Sequence, residues 1–203
     1  MRATAGLAEC LVVSLPAMTT GAATVSGITA TVLPAAAGGV LGADLDGVLG
    51  QDFLSRFDFS IDYRHSRIDW HQAGYVAAGI RLTLSAAPDR WLVELPQATP
   101  GRMHRFVPDS GADTIVLFEE ARARGLIAEW HAGRAALGSL TGARTVRTAT
   151  TVGLRVGDIT LGRQTAAIVA APSADGADGL LPLHLFARVF FSARSRALVV
   201  QPR

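Results

Sequence analysis

The feature that most limits the folds open to this 203-residue chain is an internal repeat. The segment Asp46-Gly47-Val48-Leu49-Gly50-Gln51-Asp52-Phe53-Leu54-Ser55-Arg56-Phe57-Asp58-Phe59-Ser60-Ile61-Asp62 returns 132 residues later. There it reads Asp178-Gly179-Leu180-Leu181-Pro182-Leu183-His184-Leu185-Phe186-Ala187-Arg188-Val189-Phe190-Phe191-Ser192-Ala193-Arg194. The Asp-Gly pair, Leu49/Leu181, Arg56/Arg188, Phe59/Phe191 and Ser60/Ser192 are identical, and Val48/Leu180, Phe53/Leu185, Leu54/Phe186, Phe57/Val189 and Ile61/Ala193 exchange one apolar residue for another. Self-similarity of this kind marks a duplicated structural unit, so the fold has to hold two related halves.

The flanks of the two copies read as strands. Ala23–Thr29 and Leu154–Thr160 are short alternating runs around a glycine, the pattern expected of hairpins. Phe59–Tyr63, the polar turn Arg64-His65-Ser66 and Arg67–Trp70 form a further hairpin pattern. Ile80–Ser85 and Trp91–Leu95 are strand-like on either side of Ala86-Ala87-Pro88-Asp89-Arg90, the best linker candidate. That places two lobes at 1–88 and 89–203. The turn Thr99-Pro100-Gly101 leads into a strand ending at Val107, and Phe118–Arg124 carries helix-forming residues before Gly125. Strands dominate, with few short helices, so the expected class is all-β.

Composition narrows the function. Apolar residues make up 49% of the chain and charged residues 18%, enough for a core and unlike a disordered tail. Every one of the nineteen positive residues is arginine, and these are scattered; with a net charge of only +2 there is no basic stripe for nucleic acid. Cys10 is the single cysteine, which excludes an intrachain disulfide and a thiolate metal cluster. No apolar run reaches the eighteen or so residues that cross a bilayer as a helix, and no signal-peptide pattern opens the sequence, so a soluble protein without a membrane span is expected. His65, His71, His104, His131 and His184 show none of the short spacings of metal sites, and neither metal nor cofactor is implied.

The chemistry concentrates at Asp109, in Phe106-Val107-Pro108-Asp109-Ser110-Gly111-Ala112-Asp113-Thr114, between the apolar approach Phe106-Val107 and the apolar exit Ile115-Val116-Leu117. A carboxylate at a strand end, followed by a small hydroxyl residue and glycine, suits a tight loop presenting an acid to a cleft. Gly111 allows close backbone approach and Ser110 can bond to the loop. Ser110 lacks the Gly-x-Ser-x-Gly setting of a hydrolase nucleophile, so a supporting hydroxyl is the better reading. Glu119-Glu120 with Arg122 and Arg124 read as a solvated helix face. Trp70, Trp91 and Trp130 read as packing residues.

Asp109-Ser110-Gly111-Ala112, followed sixty-nine residues later by Asp178-Gly179-Leu180-Leu181 leading into a short helix, resembles the retropepsins and bacterial retropepsin-like aspartic peptidases. The first copy, with Gly50 and Asp52-Phe53-Leu54, is nearer the family pattern than the second. The resemblance implies two pepsin-like β-barrel lobes meeting at a cleft lined by one aspartate from each. Two facing carboxylates share a proton and titrate as a unit, the ionised one activating water while the other protonates the substrate carbonyl. It further implies a flap on the hairpin around Leu137–Ala143, with Leu140, Thr141 and Gly142 closing over an extended peptide.

The sequence departs from that pattern in three places. Pro108 precedes the aspartate where the family prefers an aliphatic residue, and Pro182 and His184 replace Gly50 and Asp52 of the first copy. A first-lobe aspartate at the same spacing would fall before Met1, and no Asp-Ser/Thr-Gly precedes Asp109, so the first lobe reads as incomplete at its N-terminus. The second carboxylate would then come from an upstream segment or from a second copy in a homodimer. Two functions remain open: an aspartic endopeptidase acting on peptide or protein substrates, and a non-catalytic pepsin-like module that binds peptide or packs.

Overall fold

Side chains that alternate between apolar and polar along a strand give a sheet one buried and one polar face, as along residues 80–87, whereas 115–118, 189–192 and 197–200 are buried on both faces. The computed structural model describes residues 2–3, 6–7, 10–33, 46–87, 90–98, 102–119, 125–139, 142–170 and 176–203. The first half contains β1 (Arg2–Ala3), β2 (Gly6–Leu7), β3 (Leu11–Thr20), β4 (Ala23–Val32), the helical turn α1 (Gln51–Leu54), β5 (Asp58–Asp62) and β6 (Arg67–His71). It is followed by β7 (Ile80–Ala87), β8 (Arg90–Pro96), β9 (Met103–Asp109), β10 (Ile115–Phe118), β11 (Ile127–Ser139) and β12 (Gly142–Thr151). The chain ends with β13 (Leu154–Val156), β14 (Ile159–Leu161), β15 (Thr165–Val169), β16 (Gly179–Pro182), a 3₁₀ turn (Leu183–Leu185), β17 (Arg188–Ser192) and β18 (Ala197–Gln201). The protein is all-β, and among the described residues no helix is long and apolar enough to cross a membrane.

Twelve strands form one sheet in the order β11-β12-β15-β10-β16-β9-β8-β7-β18-β17-β5-β6, while β3-β4, β13-β14 and β1-β2 pair separately. The terminal hairpin β17-β18 lies between β5 and β7, so residues from both ends of the chain are interleaved. Phe59 on β5, Val189 and Phe191 on β17, and Leu198 and Val200 on β18 share the main core with Phe106, Leu117 and Leu181. The opposite face of those strands carries Asp58, Ser60 and Asp62 beside Phe190 and Ser192, and it too is buried. Residues 72–79 cover it: the Tyr75 ring stacks on His71 with centroids 3.8 Å apart, and Gln201 Nε2 donates to the Ala78 carbonyl at 2.9 Å.

The repeat is visible in the pairing. In each copy the strand is closed by a four-residue turn whose last residue has a positive φ, Ser66 at 51° and Arg196 at 47°. In each the final strand residue caps the turn. Asp62 Oδ1 accepts from the Arg64 and His65 amides at 3.0 and 3.1 Å, and Ser192 Oγ accepts from the Ser195 amide at 3.1 Å. These equivalences are 130 residues apart, against 132 at the helical turns, because the strand starts seven residues after the start of the helical turn in the first copy (Gln51 to Asp58) and five after it in the second (Leu183 to Arg188). The matched letters Arg56/Arg188, Phe59/Phe191 and Ser60/Ser192 are therefore not structurally equivalent. A two-residue slip keeps each side chain on its face, which is why the apolar pattern survives it. With the offset of 130, Ser60 is equivalent to Phe190 and pairs directly with it, as a local two-fold relation between the copies requires.

Gly27 is not a turn; it sits at φ 62° inside β4 opposite Pro16, where the ladder skips one pair because proline has no N–H, and the chain reverses at Gly21-Ala22 instead. Leu154–Thr160 does form the expected hairpin, around Gly157. Across the expected linker Ala86–Arg90, Ala87 pairs with Arg90 and Ala86 with Trp91, so β7 and β8 are hydrogen-bonded neighbours. Phe118 ends β10, and residues 120–124 of the expected helix lie outside the described residues.

Candidate functional site

Asp109 is the last residue of β9, a strand that buries His104, Phe106 and Val107 and leaves Asp109 half-buried at its mouth. β16 runs parallel to β9, with Pro182 opposite Asp109, and antiparallel to β10 on its other side. The loop that carries Asp109 thus bridges two strands held apart by a third from seventy residues further on. A loop that spans an inserted strand has its two ends fixed independently, which restricts the carboxylate more than a simple hairpin turn would.

Polar contacts complete the loop. Asp109 Oδ1 accepts the Gly111 amide at 2.8 Å, the Asx-type closure that an aspartate two residues before a glycine makes. His184 Nδ1 lies 3.2 Å from the Ala112 carbonyl and donates to it, tying the 3₁₀ turn after β16 to the far side of the loop. Thr114 Oγ1 donates to the Thr165 carbonyl at 3.1 Å and anchors the exit into β10. His184, a departure from the family pattern in sequence, is thus a loop anchor. Ser110 is exposed at the loop tip. A Cβ on Gly111 would meet only Asp109 Oδ1 at 3.5 Å, an ordinary contact, so the described chain does not itself require glycine there.

At the far end of β9 a second acidic residue fixes the strand from behind. Asp178 Oδ2 accepts the Arg105 amide at 2.9 Å and lies 3.5 Å from Nδ1 of the fully buried His104. The Asp178 amide and carbonyl bond to the Arg105 carbonyl and the Phe118 amide at 2.6 and 2.9 Å. One residue thereby joins β9 to β10 through the start of β16.

The first half also reaches the site. Tyr63, at the end of β5, donates its amide to the Ala187 carbonyl at 3.0 Å, and its hydroxyl is buried without a hydrogen-bond partner among the described residues. Burial foremost, and the charge of Asp109 second, push the Tyr63 phenol up to about 12. Its neighbourhood to Asp109 had no sequence signal, because it depends on β17 pairing with β5 across 126 residues.

Of the expected flap residues, Leu140 and Thr141 lie outside the described residues. Gly142 opens β12 at φ 124°, and below it Ser139 Oγ donates to the Gly142 carbonyl at 3.2 Å while Leu137 is buried in a secondary core with Val107, Val116 and Phe118.

A Ser-His contact appears elsewhere, also unannounced by the sequence. Ser60 Oγ lies 2.8 Å from His71 Nε2 and accepts from Arg188 Nη2 at 2.9 Å, and Arg188 Nη2 also bonds Asp69 Oδ2 at 2.9 Å. Burial, then the Arg188 charge, lowers the His71 pKa, consistent with a neutral ring accepting from the Ser60 hydroxyl. Ser60 is only 1% exposed and already bonded on both sides, so it staples the two copies at their local two-fold and is not open to attack a substrate. Among the described residues no three His, Cys, Asp or Glu side chains gather into a metal-binding group. No protein-family model matches this chain, and no curated protein does.

Proposed function

We propose that this chain carries one catalytic half of an aspartic endopeptidase, with Asp109 as the carboxylate. The observation that carries the reading is the setting of Asp109: a half-buried carboxylate at the shared end of two parallel strands, its Oδ1 fixed by the Gly111 amide and its loop anchored by His184. A fixed, solvent-reachable carboxylate of this kind can hold a water. Ionised, it removes the proton as the water oxygen adds to the peptide carbonyl carbon, and a second, protonated carboxylic acid donates to the carbonyl oxygen. Collapse of the tetrahedral species then expels the amine, which takes up a proton. Ser110, Gly111 and Ala112 shape the loop, and Leu140, Thr141 and Gly142 belong to the hairpin that would close over substrate.

This reading requires a second acid; the polar neighbour that reaches Asp109 from the first half is the Tyr63 phenol, which at about 12 stays protonated and can donate but is a poor proton shuttle. The second acid therefore comes from another polypeptide segment or from the Asp109 of a second copy. The same feature favours the other reading, a pepsin-like module that binds an extended peptide without cutting it.

Cleavage of an unstructured protein, followed by mass spectrometry between pH 3 and 7, separates the two. The peptidase reading expects acid-favoured cleavage, inhibition by a statine peptide and its loss in Asp109→Asn. Cleavage unchanged in Asp109→Asn would refute the assignment, and peptide binding without cleavage under any condition would establish the binding module.

A further inference from the structure

Tyr63 belongs to the first half of the chain and is brought to Asp109 by backbone that is fixed at each step. Pro182 is paired with Asp109, and the 3₁₀ turn Leu183–Leu185 that follows is closed by the Phe186 amide on the Leu183 carbonyl at 3.1 Å. The next carbonyl, that of Ala187, accepts the Tyr63 amide at 3.0 Å. The Tyr63 ring packs against the main core, which holds Leu183 and Phe186 from that turn and Phe106 and Leu181 from the strands that meet at Asp109. Its hydroxyl is buried and has no hydrogen-bond partner among the described residues. Burying a hydroxyl without an acceptor is unfavourable, and phenylalanine would fill the same space without that penalty. The Gly111 amide takes Asp109 Oδ1, which leaves Oδ2 for a second donor. The other ionisable groups on these elements are turned elsewhere. Asp62 accepts from the Arg64 and His65 amides and meets the His65 ring, Arg188 bonds Ser60 and Asp69, His184 bonds the Ala112 carbonyl, and Arg64 and Asp113 are exposed. Among the described residues, Asp109 is the charged group that acts on the Tyr63 phenol.

We propose that Tyr63 is a positioning residue for Asp109: its phenol hydroxyl is the second donor to the carboxylate, closing on Oδ2 when a peptide fills the cleft and holding the carboxylate plane for the water it activates. The inference rests on the reading of Asp109 as the catalytic carboxylate. Hydrogen bonds of catalytic groups are commonly long or poorly aligned in the free protein and tighten around substrate, so the hydroxyl can stand near Asp109 and still be unbonded. A phenol suits this task because it stays protonated throughout the range in which a carboxylate works. It donates at every such pH and does not compete for the proton that Asp109 takes from water. One donor on each oxygen fixes the plane of a carboxylate, which a single bond leaves free to turn. Tyr63 directly follows β5, so the β5–β17 pairing that joins the two halves also delivers this donor to the site.

Two measurements test this, one of them independent of catalysis. In a Tyr75→Phe background Tyr63 is the remaining tyrosine, and a ring-fluorinated tyrosine incorporated there is followed by fluorine NMR. Fluorination brings the phenol titration to lower pH, where the chain is folded. Adding Asp109→Asn should move that titration lower still, because the carboxylate no longer opposes the phenolate. An unchanged titration overturns the proposal. In the cleavage assay, Tyr63→Phe should melt like the parent at neutral pH and lower kcat by about tenfold or more with KM within about twofold, the effect of losing one hydrogen bond to a charged group during reaction. Unchanged kcat overturns the proposal, and a raised KM with unchanged kcat overturns it in favour of a residue that only binds peptide. A parent chain that cleaves nothing refutes the peptidase reading of Asp109, and the fluorine titration then decides by itself whether the phenol serves the carboxylate.

Discussion

Replacing Gly179 with alanine tests whether insertion of β16 between β9 and β10 is what holds the Asp109 loop. All three backbone atoms that close on a new Cβ, the Val116 carbonyl oxygen and carbon and Leu117 Cα, belong to β10, so no flexible side chain can move aside and the strands must part. Overpacking a tight site costs roughly 1–3 kcal/mol. Separation also weakens the Val116–Leu180 and Leu117–Gly179 pairing and the Phe118 amide bond to the Asp178 carbonyl, each bond contributing about 1 kcal/mol. A loss of about 3 kcal/mol is expected, which for a chain of this length lowers Tm by roughly 6–12 °C. Scanning calorimetry and urea titration measure it, with Gly47→Ala as the matched control, expected to stay within about 0.5 kcal/mol of the parent. Cleavage by Gly179→Ala should fall even where the chain is still folded, because the loop loses one of its fixed ends. A Gly179→Ala protein as stable as Gly47→Ala would refute the packing argument.

Other residues give separate outcomes. Because the Tyr63 pKa is raised on folding, its contribution is complete below pH 10 and is lost as pH rises towards about 12; Tyr63→Phe should flatten that alkaline fall in stability, read by urea titration across the range. His71 is the opposite case, with a lowered pKa giving stability that is present above 6.5 and lost as pH falls below it; Arg188→Ala should raise the His71 titration point measured by NMR. Truncating the fully buried Phe106 to alanine should cost about 3–5 kcal/mol by urea titration, as it opens a cavity directly behind the Asp109 strand. His184→Ala should cost only about 1 kcal/mol but speed amide exchange across residues 110–114, because it removes the tether to the Ala112 carbonyl.

Local pattern in the sequence was enough for the all-β class, for the hairpin of β5 and β6, for the strands β7 and β8, and for an aspartate loop at a strand end. These depend on alternation, turn residues and glycine placement within a few positions of one another. It was also enough to reveal the duplication, though not its register, since a slip of two residues leaves the facing of every side chain unchanged. The turn at Gly27 failed because glycine and proline mark irregular backbone but do not say whether a partner strand continues past it. What tertiary structure alone decided is long-range pairing. The insertion of β16 beside β9, the approach of Tyr63 to Asp109 and the Ser60–His71–Arg188 network all join residues distant in sequence. Their positions follow from which strand edges meet, and the energy of that choice comes from apolar side chains that several distant strands bury together, which no single segment encodes.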